Sequence, residues 1–423
     1  MQTTPDPLWI HPETADEVAA ALRRASEARQ SIVIRGAGTK CDWGRPAARI
    51  DVVLDMRRMN RLLAHEHGDM TATIEAGATL REVNQALAVH GQTLPLDPPF
   101  ADRATIGGLL ATNDSGPLRH RYGTPRDLVI GIRLATTDGV LSKAGGRVVK
   151  NVAGYDLSKL VTGSFGSLAA IVSATFKLAP LPAASKTMQV IARDVGALAD
   201  IIRTVMASQL EPVAFEVMTG TQRPQNPQSH DLLTRSAGTA EVAQAFRPAI
   251  LLRFASLQAV VDAQIAQAIA GLNACATSIE VLDGDAERAR WHEHATQLWG
   301  EPGAIVRASW LPANLAAGLG ELDLINAGLK ACATGVGGIE LVGRAAVGAG
   351  LVRIDGDTDA QASAIERLRA SRVFGNVVIV RGSPDLKARV DVWGSHGDRQ
   401  PLFDELKRAF DPNGVLNAGR GPL

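Results

Sequence analysis

The sequence predicts an α+β fold in two parts, and three observations support this fold class. The chain has 423 residues, which is enough for two domains of ordinary size. Some segments show apolar residues at helical spacing, whereas others are short β-rich runs. A stretch marked by Pro180 and Pro182 separates a first domain, residues 1–183, from a second domain, residues 184–400. A C-terminal segment with its own pattern, residues 401–423, follows.

The elements of the first domain begin with a helix. Thr14 and Glu17 fit a capping box, so a helix should start there. A second helix is expected over 80–90, where Gly91 ends it. Asp138-Gly139 lies between apolar runs and predicts a hairpin. The predicted strands are 31–35, 52–54, 71–75, 128–135, 140–141 and 170–176.

In the second domain, helix and strand patterns alternate. Strands are expected at 187–192, 249–254 and 304–310, and helices at 195–209 and 257–272. The polar segment near 219–248 predicts a flexible surface insertion, because long structureless loops are uncommon inside compact domains. The C-terminal segment opens with an amphipathic helix over 401–410. Asp411-Pro412 and Asn413-Gly414 should end that helix.

The composition excludes several functional classes. Lys+Arg and Asp+Glu are equal at 44 each, so nothing indicates a surface for nucleic acid or anionic membrane. No stretch approaches the roughly 20 apolar residues that span a bilayer, so no transmembrane segment is predicted. The N-terminus lacks a basic region followed by an apolar run, so no secretory signal is expected. We expect a cytoplasmic protein, with docking at the inner membrane face through partners as the alternative.

The three cysteines, Cys41, Cys275 and Cys332, lie far apart and form no CxxC pair. This spacing argues against a disulfide framework, a zinc finger and a four-cysteine iron–sulfur site. The sequence therefore predicts no metal site.

A first glycine motif follows the strand at 31–35. It reads Gly36-Ala37-Gly38-Thr39-Lys40. Glycines at a strand end let successive N–H groups converge on one anion, and Thr39, Lys40 or Arg35 could add a donor or a charge. A nicotinamide-type fingerprint would need a third glycine opening a helix, but Cys41 stands there. The motif alone fits either a phosphate-binding loop or an ordinary glycine-rich turn.

A second motif runs from Pro98 to Gly116. Gly107-Gly108 lies inside an apolar run, where adjacent glycines are costly in a helix or strand. They are explained if the backbone approaches a ligand, with Thr112, Asn113 and Ser115 supplying side-chain bonds nearby. A tight turn with a cap is the alternative.

A third motif begins at Gly145-Gly146 and continues through residues 147–162 to Gly163-Ser164-Phe165-Gly166. It leads into the strand at 170–176, whose Ile171 and Val172 main-chain groups could face a flat heterocycle. A loop rich in turn residues is the alternative.

Taken together, in this order and spacing, the three motifs resemble the FAD-binding domain of the vanillyl-alcohol-oxidase (p-cresol-methylhydroxylase-like, PCMH-type) superfamily. The sequence VKNVAGYD at 149–156, with Gly163 to Gly166, resembles the FAD-binding E-subunit family of glycolate oxidases. The tail at 410–420, FDPNGVLNAGR, resembles the C-terminus of FAD-linked oxidases. The resemblance covers roughly 8–183 and 401–423 and implies a two-subdomain FAD-binding domain plus an α+β cap domain.

The resemblance implies which residues hold the FAD. On the pyrophosphate it places Gly36, Ala37, Gly38, Thr39 and Lys40. Along the pyrophosphate, ribityl chain and ring it places Pro98, Thr105, Gly107, Gly108, Thr112, Asn113 and Gly116. Near the adenine or the ring edge it places Gly166 and Ile171.

The tail at 417–420 should return to the flavin. Arg420 is then either a cation beside the flavin N1–C2 carbonyl or a surface residue near the end of the chain. Some relatives tether FAD covalently through His or Cys. The first motif contains no His, and Cys41 is expected to be a small buried thiol, so FAD should bind non-covalently.

Groups for 2-hydroxy-acid oxidation are harder to find. The chemistry needs a cation for the carboxylate and a base for the hydroxyl proton. Alanines in the segment 343–351 stand where catalytic relatives carry histidines. His292 and His294 face apart on a helix and are expected to be solvated, as are His65 and His67 in a turn. Two residues on one strand face, Arg307 and Ser309, could bind a carboxylate or form a wet sheet face, so no catalytic residue is assigned.

Three functional hypotheses follow from the resemblance. The first is an FAD-binding subunit of a glycolate (2-hydroxy acid) oxidase or dehydrogenase complex, with a sister flavoprotein subunit and an iron–sulfur subunit as partners. The second is a self-sufficient FAD-linked D-2-hydroxy-acid dehydrogenase. The third is a non-catalytic scaffold subunit of such a complex.

Overall fold

The computed structural model describes residues 6–146, 155–219, 248–300, 303–332 and 338–423. The chain forms two compact units: unit 1 combines residues 1–182 with 378–423, and unit 2 is residues 183–377. Two features of the sequence lie outside the described residues, namely the part of the third motif at 147–154 and most of the expected insertion, 220–247.

Unit 1 contains two main sheets with helices packed on them. The strands are β1 Leu8–Ile10, β2 Ile32–Arg35, β3 Val52–Asp55, β4 Leu62–Glu66, β5 Thr71–Glu75, β6 Gln92–Thr93, β7 Val129–Ala135, β8 Leu141–Gly145, β9 Ala170–Lys177 and β10 Ala179–Pro180. The helices before unit 2 are α1 Ala15–Glu27, α2 Leu80–Ala88, α3 Ile106–Thr112, α4 Arg119–Tyr122, α5 Pro125–Leu128 and α6 Leu157–Val161.

A parallel sheet in the order β1-β3-β2 forms the first half of unit 1. Helix α1 covers it with an apolar face and begins at Thr14, whose hydroxyl accepts a hydrogen bond from the Glu17 amide. The C-terminal segment lies along β2: the Ile32 amide donates to the Val415 carbonyl, and the Asn417 amide donates to the Ile32 carbonyl, both at 2.9 Å. The tail therefore extends the sheet beside the strand that leads into the first glycine motif.

An antiparallel sheet in the order β4-β5-β9-β7-β8 forms the second half of unit 1. Its central strand β9 is buried along seven of its eight residues, as expected for a strand covered on both faces. Helices α2 and α3 pack on it with the core residues Ile74, Leu80, Leu94, Leu110 and Phe176. Unit 1 thus has two α+β halves.

Unit 2 is built on an eight-stranded sheet with helices packed against it. Its strands are β11 Ala184–Ala192, β12 Ala214–Met218, β13 Ala249–Ser256, β14 Ala276–Leu282, β15 Ala304–Trp310, β16 Ile339–Arg344, β17 Ala349–Ile354 and β18 Phe374–Arg381. Its helices are α7 Val195–Ala207, α8 Gln258–Leu272, α9 Gly284–Thr296, α10 Leu315–Cys332 and α11 Thr358–Ala370. The strand order is β14-β11-β13-β12-β16-β17-β15-β18.

The two faces of the unit 2 sheet differ in polarity. One face is apolar and carries buried residues such as Val217, Val306 and Val352. The register places Glu216, Arg344 and, two strands further on, Ser309 in one row on the other face. The fold class predicted from the sequence, α+β, is confirmed.

The chain returns to unit 1 at residue 378, within β18, and not at residue 401 as predicted. Two further helices follow, α12 Pro384–Arg389 and α13 Gln400–Phe410. The segment before α13 belongs to unit 1 because its side chains pack there: the Trp393 ring meets the Phe165 ring edge-on at 4.7 Å, and Asp391 pairs with Arg45 at 2.5 Å. These contacts link residues too distant in sequence for local patterns to reveal.

Two local predictions also need correction. The side chain of Glu17 accepts a hydrogen bond from the Glu13 amide at 2.7 Å and does not complete the capping box with Thr14. His65 lies in β4 opposite Ala72, not in a turn, because β4 pairs antiparallel with β5.

Candidate functional site

A cleft in unit 1 brings together most of the residues that the glycine motifs indicated. It holds about 790 Å³ of empty space, a figure that includes open solvent at its mouth. The chain supplies its walls from β2 and the following loop, α3, the start of β9 with the turn before it, and the C-terminal segment. Its lining residues are Ile34, Arg35, Gly36, Ala37, Gly38, Thr39, Lys40, Cys41, Met56, Ala76, Thr105, Gly107, Gly108, Ala111, Thr112, Phe165, Gly166, Ala169, Ile171, Asn417 and Arg420.

The loop after β2 forms one wall and needs its glycines. A Cβ on Gly36 would collide with the hydroxyl of Thr105, and a Cβ on Gly38 would lie 2.8 Å from the Arg35 guanidinium. Gly38 also has a φ of +79°, which side chains rarely adopt. Across the described part of the chain, no group accepts a hydrogen bond from the amides of Gly36, Ala37, Gly38 or Thr39. These donors are available to an anion in the cleft.

The second motif forms another wall, but as a helix. Gly107 and Gly108 lie inside α3, although adjacent glycines are costly in a helix, so the alternative of a tight turn is wrong. A Cβ on Gly107 would come within 2.9 Å of the Ala76 Cβ, so the helix approaches the end of β5 closely only with glycine there. Thr112 donates its hydroxyl to the Gly108 carbonyl at 2.8 Å, within the same helix.

Asn417 joins three of the walls. Its side-chain amide donates to the Phe165 carbonyl at 2.6 Å, and its side-chain oxygen accepts from the Ile34 amide at 3.3 Å. Phe165 and Gly166 both have positive φ, and a Cβ on Gly166 would lie 2.6 Å from the Asn417 amide nitrogen. The turn before β9, the end of β2 and the tail are therefore fixed to each other through one buried side chain.

The cation predicted at Lys40 already has a carboxylate partner. Its ammonium lies 3.4 Å from Asp114 and 5.4 Å from the Trp43 ring centre, and the side chain is 6% exposed. Lys40 lines the cleft, but much of its charge is balanced inside the protein.

Arg35 and Arg420 also line the cleft, and their positive charges are balanced less by carboxylates of the protein than the charge of Lys40 is. The Nε of Arg35 is buried and has no hydrogen-bond partner among the described residues. Arg420 donates to the carbonyls of Cys41 and Trp43. Burial lowers the pKa of Arg420, and the neighbouring Cys41 and Asp42 offset this only in part. Arg420 is half-buried and lines the cleft.

Cys41 lies at the cleft but is exposed, so the expectation of a buried thiol is wrong. The reason is local, because the turn after the first motif buries Trp43 instead.

Three of the residues predicted for the site do not line the cleft. Pro98 is buried in the core next to Asp97. Gly116 packs so closely that a Cβ would collide with the Asp97 carbonyl. Asn113 ends α3 in a left-handed conformation and accepts a hydrogen bond from the Arg126 amide at 3.3 Å. Their observed contacts serve packing and helix termination.

Sequence reasoning missed several lining residues. Met56, Ala76, Ala111 and Ala169 are small or apolar and carry no local signal of a ligand site. Asn417 had a usable signal, because it belongs to the tail motif that was expected to return to the flavin.

In unit 2 a buried polar cluster lies between α9 and the sheet. Glu216 is 0% exposed and lies 3.2 Å from His294 Nε2 and 3.5 Å from Arg344 Nε. His294 is therefore not on a solvated helix face, although His292 is exposed as expected. The reason is that α9 packs on the sheet with this side, directing His294 toward Glu216. The cluster binds the helix to the sheet through charged and polar groups.

Comparison with known proteins adds a family to this geometry. Residues 7–145 match the family described as FAD binding domain. Glycolate oxidase subunit GlcE of Escherichia coli (strain K12) is 34% identical over 47% of this chain and 56% of its own length. Glycolate oxidase subunit GlcD of Bacillus subtilis (strain 168) is 33% identical over 51% of this chain and 46% of its own.

A longer match is D-2-hydroxyglutarate dehydrogenase of Xanthomonas citri pv. viticola, 31% identical over 70% of this chain and 60% of its own length. The chain spans about half the length of the curated relatives it matches. A solved structure of alkyldihydroxyacetonephosphate synthase superposes with a TM-score of 0.71 over 97% of this chain and 75% of that one. The identity is 18%, so this likeness concerns the fold.

In the described parts of the chain, no helix combines the length and apolarity that crossing a membrane requires. The resemblance to PCMH-type FAD-binding proteins and to glycolate oxidase subunits, drawn from the glycine motifs and the tail, is confirmed by the matched family and relatives. Residues 7–145 thus match the FAD binding domain family, and the cofactor of the chain is FAD.

Proposed function

We propose that this chain is the FAD-binding subunit of a glycolate (2-hydroxy acid) oxidase or dehydrogenase complex that oxidises glycolate to glyoxylate and passes electrons to partner subunits. One observation carries the proposal: free main-chain amides and the Arg35 guanidinium converge on a cleft inside a domain of the FAD-binding family. The names of the GlcE and GlcD relatives support the reaction.

The cleft residues fit the cofactor on physical grounds. A diphosphate carries two negative charges and many acceptor oxygens, which match the four amides of Gly36, Ala37, Gly38 and Thr39. Arg35 and Arg420 supply positive charge on the same cleft. The glycines are required there because side chains would fill the space or clash with Thr105 and Arg35.

When bound, FAD supplies the hydride acceptor that oxidation of a hydroxyl carbon requires. This chain's own contribution is to hold the cofactor through the loop after β2, to fix the surrounding walls through Asn417, and to exclude water with apolar residues such as Met56 and Ile171. We propose that FAD is bound non-covalently. Cys41 is the thiol to test, since it is exposed and lines the cleft. A mass of the denatured chain increased by one FAD would refute non-covalent binding.

Partner subunits are proposed for the substrate chemistry. A carboxylate anchor and a base are needed, but in unit 2 the buried Arg344 and His294 both contact the buried carboxylate of Glu216. A sister flavoprotein subunit would supply the catalytic groups, and an iron–sulfur subunit would accept the electrons. We further propose a cytoplasmic location, with any attachment to the inner membrane face made by these partners.

A self-sufficient D-2-hydroxy-acid dehydrogenase is the second candidate. It is favoured by the relative named D-2-hydroxyglutarate dehydrogenase and by the D-lactate dehydrogenase of Archaeoglobus fulgidus, which is 33% identical over 49% of this chain.

One experiment separates the two candidates. The purified chain is examined by absorbance and then mixed with glycolate, D-lactate or D-2-hydroxyglutarate and a dye acceptor. We expect the chain alone to show flavin absorbance but neither bleaching nor turnover. Co-expression with the partner subunits should produce both bleaching and turnover. Bleaching and turnover by the chain alone would establish the second candidate, and a colourless protein that takes up no FAD would overturn both.

A further inference from the structure

We propose that Arg35 is the cation that pairs with the FAD diphosphate, and that two neighbours keep it available: Arg57 occupies Asp55, and Trp9 holds the Arg35 guanidinium in place. The inference rests on the proposed binding of FAD in the cleft. It goes further by assigning positioning roles to two residues that do not line the cleft.

The sheet register brings Arg35 beside a carboxylate that could neutralise it. Arg35 at the end of β2 is opposite Asp55 at the end of β3, and residues paired in register point to the same face. Asp55 is 0% exposed. A buried carboxylate next to an arginine on the neighbouring strand ordinarily forms an ion pair with it, which would withdraw the charge from the cleft.

Arg57 prevents this because it forms an ion pair with Asp55 itself. Its Nε lies 2.9 and 3.0 Å from the two carboxylate oxygens, and one terminal nitrogen lies 2.6 Å from Oδ2. The Arg57 amide adds a bond at 3.1 Å, and His11 approaches to 3.7 Å. Burial raises the pKa of Asp55, but these bonds and charges outweigh it and leave the pKa below its ordinary value. The carboxylate is ionised and its acceptor positions are filled.

Arg35 is left pointing along the cleft loop. Its guanidinium lies close to Gly38, and its buried Nε has no hydrogen-bond partner among the residues that the structure describes. The guanidinium carbon lies 5.2 Å from the centre of the Trp9 ring. A planar guanidinium can stack on an aromatic face and still offer its N–H groups at the edge, which suits a phosphate.

Trp9 is itself fixed in orientation. It lies on the edge strand β1, 42% exposed, and its ring stacks on the His11 ring at 6.2 Å and 18°. His11 in turn is near Asp55.

The test measures FAD affinity of the full chain by titrating apoprotein. Arg35→Gln should weaken binding roughly 10- to 100-fold, as for loss of a charged hydrogen-bonding group. Trp9→Ala should weaken it by about 3- to 5-fold and Trp9→Phe by less, in line with an exposed cation–π contact. Combined with Arg35→Gln, the Trp9→Ala change should cost nothing more, because Trp9 acts through Arg35.

The decisive variants change the ion pair between Asp55 and Arg57. Arg57→Gln frees the buried carboxylate to recruit Arg35, so FAD affinity should fall toward that of Arg35→Gln. Asp55→Asn combined with Arg57→Gln removes the competing charge and should restore affinity. Arg61→Gln is the matched control, since the exposed Arg61 pairs with the buried Glu75 at 2.8 Å in the same unit but is not paired in register with Arg35. Its affinity should match the parent chain.

The outcomes are separable. If the parent chain binds no FAD, the proposed function fails. If the parent binds FAD and Arg35→Gln binds equally well, the cation assignment is overturned and the proposed function stands. If Arg57→Gln behaves like Arg61→Gln, or the double variant stays as weak as Arg57→Gln, the role of Arg57 is overturned. Thermal melting of each variant verifies folding, and the double variant avoids an uncompensated buried charge.

Discussion

Replacing Asn417 by alanine gives the sharpest test of how the cleft is held together. The side chain is 4% exposed and bonds the Phe165 carbonyl and the Ile34 amide. Alanine leaves both main-chain groups without that partner, at about 1 kcal/mol each for half-buried groups. Asn417 also has a φ of +42°, where alanine is disfavoured by about 1 kcal/mol. The local cost is therefore about 3 kcal/mol.

If the walls must be ordered to bind FAD, this cost appears in the affinity as a loss of up to roughly 100-fold. Asn417→Gly removes the same hydrogen bonds without the backbone penalty, so it should lose about 2 kcal/mol. The assay combines FAD titration with hydrogen exchange of peptides covering 32–36 and 163–167, which should exchange faster in both variants. Unchanged exchange and affinity in Asn417→Ala would refute the bracing role, and a glycine variant weaker than alanine would refute the backbone term.

Three further predictions concern single positions. Gly38→Val should reduce bound FAD per chain, measured by absorbance, at least 10-fold, on the order expected when a side chain is placed at a left-handed position in the anion-binding loop. Gly68→Val is the control, because a Cβ there meets nothing within 4 Å, and it should bind as much FAD as the parent chain. His294→Ala should destabilise unit 2 by roughly 1–3 kcal/mol in urea unfolding, because buried Glu216 loses a partner, and an unchanged midpoint would count against it. The pKa of Asp55 is lowered in the folded chain, so its carboxylate should stabilise the fold above its unfolded pKa of about 3.9, and this stabilisation should be lost as the pH falls through the folded pKa. The free energy of unfolding of Asp55→Asn should therefore fall less steeply with decreasing pH than that of the parent chain, and parallel curves would contradict this.

Local sequence patterns predicted what depends on neighbouring residues. The strand that ends at Arg35 and the glycines after it were recognisable because a strand end followed by Gly36 and Gly38 has a physical reason in short-range geometry. The helix at the C-terminal segment was found from its periodicity, and it is α13. The prediction of FAD binding followed from the resemblance that the three motifs carry in this order, not from any one of them.

The features that the sequence did not reveal depend on contacts between residues that are distant in the chain. Lys40 lines the cleft, but its ion pair with Asp114, which is 74 positions away, could not be foreseen. His294 looked solvated because α9 carries charges on several sides, and only the sheet packing shows which side is buried. Gly116 had the composition of a ligand loop, yet its lack of a side chain is explained by contact with Asp97.

The tail that lies along β2 has a consequence for biosynthesis. Asn417 and Arg420 emerge from the ribosome only after all of unit 2 has been made, whereas the loop they enclose is made at the start. While residues 36–171 are already synthesised, Ile32 still lacks its Val415 and Asn417 partners, so the edge of β2 stays open. A chain arrested before residue 415 therefore has the loop after β2 but lacks the part of the cleft wall that Asn417 and Arg420 supply.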